Sequence, residues 1–155
     1  MDQSVANWVA GVVGASLVTY IIVGIVVIVL QIIAWWKLFS KATGHGWQSI
    51  IPVYNEYKWY KITWSAMAFW IGGIAIPVVL GILLTVIKNQ TANNILYIGT
   101  AIYCLVFHII SCKNISKAYG HGAGFTIGLI FLPTLFMLIL GLGKSEYVGP
   151  KGIKA

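Results

Sequence analysis

Polar and charged side chains along this chain fall in a few short clusters, separated by apolar runs long enough to cross a hydrocarbon core. Residues 3–36 carry no charged side chain, and their Val/Ile/Leu-rich part, about 12–36, exceeds the ~20 residues a spanning helix needs. Further apolar runs cover about 66–87, 95–111 and 123–142. Only helices and closed barrels satisfy their backbone in lipid, and runs of this length are far too long for strands. The pattern therefore predicts an all-α integral membrane protein with four transmembrane helices. Trp8 at one end of the first run and Trp35-Trp36 at the other suit the two headgroup belts. Pro77 inside the second run and Pro133 inside the fourth each predict a kink, with a freed carbonyl that a neighbouring helix or water must satisfy. Residues 47–64 are too short and too polar to cross. Their aromatics and lysines predict an interfacial segment between helices one and two, with Trp47 at its front and a turn at Pro52, Tyr54 and Asn55. The polar stretch 88–94 reads as a short turn.

One polar cluster occurs twice. Lys37-Leu-Phe-Ser-Lys41-Ala-Thr-Gly-His45-Gly matches Lys113-Asn-Ile-Ser-Lys117-Ala-Tyr-Gly-His121-Gly at seven of ten positions. Each copy follows a long apolar run, and two lysines beside two glycines cannot lie inside a bilayer. The copies are corners, and they divide the chain into a two-plus-two parallel repeat. Helix one then matches helix three, and helix two matches helix four. Two crossings separate the corners, so both lie on one membrane side and the repeat axis runs along the membrane normal.

Composition agrees: 59% of residues are hydrophobic and 8% charged, whereas a soluble surface needs roughly a quarter charged. All ten basic residues are lysines, set against Asp2, Glu56 and Glu146. They sit at the ends of apolar runs, which points to topology and lipid contact rather than nucleic acid. Lys37, Lys41, Lys113 and Lys117 are the expected headgroup contacts, with anionic lipid as their partner. With four crossings, the corner side carries six lysines, and Lys88, Lys144, Lys151 and Lys154 lie opposite. Six against four points the corners to the cytoplasm. A hairpin turning back at Pro133 would make the count nine against one. The first run is too long, and its front too acidic, for a cleaved leader, so it is expected to remain as an anchor.

Catalytic inventory is thin. Three scattered carboxylates do not support paired acid–base work, and phosphate-loop, nucleophile-elbow and metalloprotease motifs are missing. No catalytic residue and no cofactor is expected. Cys104, His108 and Cys112 form one helical stripe, but three ligands spread over about 12 Å cannot all bind one ion. A pair joined by ligands from another helix or subunit could; otherwise the stripe is a packing face. His45 and His121, each between glycines, could present imidazoles to a metal or an anionic headgroup. Otherwise each glycine simply ends its helix.

Two stretches carry a resemblance: Gly46-Trp47-x-x-Ile-Ile-Pro52-Val-Tyr54-Asn55-x-Tyr57, and the closing Leu-Gly143-x-x-x-Tyr147-Val-Gly149-Pro150. The chain from Lys37 to Pro150 resembles a bacterial family of small, four-helix membrane proteins of unknown function. A similar segment occurs within some type I signal peptidases. The resemblance implies a bacterial cytoplasmic (inner) membrane and supplies no catalytic residues. The peptidase's serine–lysine domain is a further, mostly β region that these residues do not contain, so peptidase activity is not implied. The expectation is a non-enzymatic polytopic protein, a scaffold or accessory subunit packing against another membrane protein or itself. A second class is an oligomeric channel or small-solute transporter lined by helices two and four. A third is membrane metal handling through the histidines.

Overall fold

The computed structural model describes residues 2–153; Lys154, counted among the tail lysines, lies outside them. Helix α1 spans Gln3–Thr43, well beyond the apolar run that predicts it. Its last turns carry Lys37 and Lys41, and it stops only at Gly44, whose φ of 74° lets its N–H close on the Ser40 carbonyl. A 3-10 turn at Gly46–Ser49 and helix α2, Tyr54–Thr63, form the segment expected at the interface. Between them Val53 takes φ 66°, ψ −48°, and Tyr54 N–H bonds the Pro52 carbonyl in a tight three-residue turn. That is a strained geometry for a β-branched residue.

The second apolar run begins as a π-helical stretch, Ala68–Ala75, and continues as α3, Ile76–Val86. Pro77 explains the change of winding. In π register the proline nitrogen would face the Gly72 carbonyl, and it has no hydrogen to give. The Tyr103 hydroxyl of the next helix donates to that carbonyl instead. Next comes α4, Gln90–Ala118, started by the Asn89 side chain accepting from Ala92 N–H at 3.0 Å. The stretch expected as a turn at 88–94 is therefore mostly the first turn of α4. Gly120, at φ 74°, repeats the left-handed role of Gly44.

The largest departure from the sequence pattern lies at 123–142. Instead of one kinked helix there are two, α5 at Ala123–Phe131 and α6 at Pro133–Leu142. Leu132, forced out of helical geometry by the proline after it, sits at φ −132° and ψ 60° between them. Helix α5 runs back along α4, with Leu129 in the cluster that holds Cys112 and Ile115. Helix α6 runs parallel to α1. Thr134 shares a cavity wall with Gln31, Gly141 abuts Ala34 so closely that an added Cβ would fall 2.6 Å from its Cα, and Lys41 reaches the Leu140 carbonyl. Both ends of this segment thus lie at the corner end of the molecule, and it is a hairpin. Three helices among the described residues, Gln3–Thr43, Ala68–Val86 and Gln90–Ala118, are long and apolar enough to cross a membrane, against four expected. Helices α5 and α6, of nine and ten residues, are each shorter than these three.

The core sits at the corner end, around Leu38, Phe39, Trp59, Tyr119, Leu129 and Leu140. In the three long apolar helices only 6% of the most apolar stretch is buried. The contrast has a physical basis. Apolar burial is strongly driven where it removes surface from water, and has no such drive where the alternative is lipid.

Candidate functional site

The two lysine corners meet, and the join is made by one of the positions at which they differ. Tyr119, where the first copy has Thr43, donates its hydroxyl to the Leu38 carbonyl at 3.0 Å. Its ring packs on Trp59 and Tyr147, and Trp59 in turn packs on Trp35 at 4.7 Å. Together these rings form an aromatic plate that ties α1, α2 and α4 to the tail. Burial, with the Tyr147 phenol beside it, pushes the Tyr119 phenol well above its ordinary range, and burial also raises Tyr147. The tail is fixed by Tyr147 donating to the Ile62 carbonyl at 2.7 Å and by Val148 N–H donating to Ala118 at 2.8 Å. The closing Tyr-x-Gly-Pro motif is thus part of the plate.

Matching lysines and histidines in the two copies do different jobs. Lys41 Nζ donates to Leu140 O at 2.6 Å and Gly143 O at 2.9 Å, satisfying one carbonyl in the last turn of α6 and that of the glycine capping it. Lys117, its counterpart, is exposed, as are Lys37 and Lys113. His45 folds onto its own corner, Nδ1 to Thr43 O at 2.8 Å. His121 stacks on Phe125 at 4.2 Å and meets the Ser145 hydroxyl at 2.8 Å, so it latches hairpin to tail. Of the metal candidates, only His108 Nε2 and Cys112 Sγ come together, at 3.6 Å. Cys104 is exposed. Among the described residues no group of three His, Cys, Asp or Glu side chains could hold a metal ion.

The interfacial motif builds a groove. Asn55 Nδ2 donates to Ser49 O at 2.8 Å, which folds the Pro52 turn back toward α1. Trp47 stacks on Tyr54 with planes 9° apart, and Lys58 lies 5.3 Å from the centre of the Tyr54 ring. Ser49, Ile50 and Asn55 then face Ile28, Gln31, Ile32 and Trp35 of α1 across a cavity of about 570 Å³. A second cavity, about 270 Å³, adjoins the same Gln31 and Trp35 and reaches His108 and Thr134. The oxygens Gln31 Oε1 and Asn55 Oδ1 are buried and have no hydrogen-bond partner among the described residues.

Sequence reasoning singles out Asn55 but passes over Gln31. The signal was there: Gln31 is the one amide between Asn7 and Gln48. The aliphatic hydroxyls sharing that apolar run, Ser16 and Thr19, are satisfied by their own helix backbone. Trp59, at the centre of the plate, counts in the sequence only as one aromatic of the interfacial segment, and Tyr119 only as a position at which the two corners differ.

Residues 47–150 match the profile of DUF5684, a family of unknown function. No curated protein and no solved structure matches the chain. The matched range takes in the interfacial motif, the hairpin and the tail, and leaves α1 outside.

Proposed function

We propose, for a chain that belongs to the DUF5684 family of unknown function, a non-enzymatic scaffold or accessory subunit of a bacterial cytoplasmic membrane. In this reading the chain packs against another membrane protein, or against itself, through spans that its own fold leaves uncovered. One observation carries the proposal: packing is concentrated in the aromatic plate, while 6% of the most apolar stretch of each long helix is buried within the chain. From residue 2 to residue 30 no described side chain of α1 is buried, and Gly11 and Gly14 have no atom within 4 Å of a built Cβ. Small residues on an open span favour close approach of a second helix.

Lysine placement supports an orientation. With the hairpin turned back, eight of the nine lysines among the described residues lie at the corner end, and Lys88 alone lies at the other. An excess of this size seats the corners in the cytoplasm and the start of α1 outside. Lys37, Lys113 and Lys117 are then free for anionic headgroups, each contributing roughly 1 kcal/mol.

The channel reading gains less support. Its helices two and four were to line a pore, but the fourth is a hairpin packed between α1 and α4, and the cavity of about 570 Å³ lies to the side of α1. Native mass spectrometry of the protein released from lipid tests the assignment. A stoichiometric complex with an unrelated membrane protein, or a dimer joined through α1, is the expected result. A ring-shaped homo-oligomer conducting a solute would replace it with the channel, and bound metal with the metal-handling reading.

A further inference from the structure

We draw no further inference here: the strongest candidate, the apolar groove of about 570 Å³ between α1 and the Pro52 turn, is open, and nothing in the structure shows what covers it.

Discussion

At the scale of single residues, identity along the chain does not fix role. Lys41 and Lys117 occupy matching places in the repeat, yet one ammonium lies on the Leu140 carbonyl of α6 and on that of Gly143 just past its end, and the other is exposed. Hydrogen bonds to a charged donor contribute about 1.5–3 kcal/mol, whereas exposed substitutions stay within about 0.5 kcal/mol. Lys41→Gln is therefore expected to lower the unfolding free energy in detergent by about 2 kcal/mol, and Lys117→Gln to leave it unchanged. Equal effects would mean that Lys41 does not hold the hairpin. Tyr103 offers a second single-atom test. Its hydroxyl replaces the N–H that Pro77 cannot supply to Gly72. Tyr103→Phe should cost about 0.6–2 kcal/mol in lipid, where such bonds are worth little more than in water. In a Pro77→Ala background, where the backbone can supply its own donor, the loss should shrink.

At the scale of elements, the hairpin α5–α6 is what changes the topology. A crossing helix at 123–142 would put Lys144 on the side of Lys88, and a hairpin puts it with Lys61. Single cysteines at positions 61, 88 and 144, in a chain with Cys104 and Cys112 replaced by serine, separate the two with a membrane-impermeant thiol reagent. Positions 61 and 144 should label alike and position 88 oppositely. Labelling of 144 with 88 would restore four crossings. Small residues permit close contact within the hairpin, where Phe136 lies over Gly128, and between the hairpin and α1, where Gly141 lies on Ala34. Such contacts carry weight in a lipid environment, where packing rather than water release holds helices together.

At the scale of the whole molecule, the buried core is gathered around the aromatic plate at the corner end. Tyr119, Tyr147 and Tyr60 have phenols shifted upward, chiefly by burial. The sign follows from linkage: a phenol whose folded-state pKa is raised favours the folded state while it stays protonated. That stability is fully present below the ordinary tyrosine value near 10 and is lost as pH rises past it. The fold should therefore weaken steeply above about pH 10, read as detergent-solubilised melting temperature against pH. Tyr147→Phe should flatten that slope. An unchanged slope would mean that the plate does not govern stability.

Hydropathy and lysine placement determined the membrane class, the existence of three long helices, the interfacial segment and the corners as one end of the molecule. These follow from local chemistry, because a run without charge and a cluster of lysines find their solvents whatever else the chain does. Pro133 announced a break, but whether the chain goes on across the bilayer or returns depends on what α5 and α6 pack against. That was decided by Gly141 on Ala34, by Lys41 on the Leu140 and Gly143 carbonyls and by the tail on Ala118. Tertiary structure also separated the duties of the repeated lysines and histidines, since a side chain's role is set by what lies opposite it. It alone brought Gln31 and Asn55, 24 residues apart in sequence, to the walls of one groove with two oxygens unpaired.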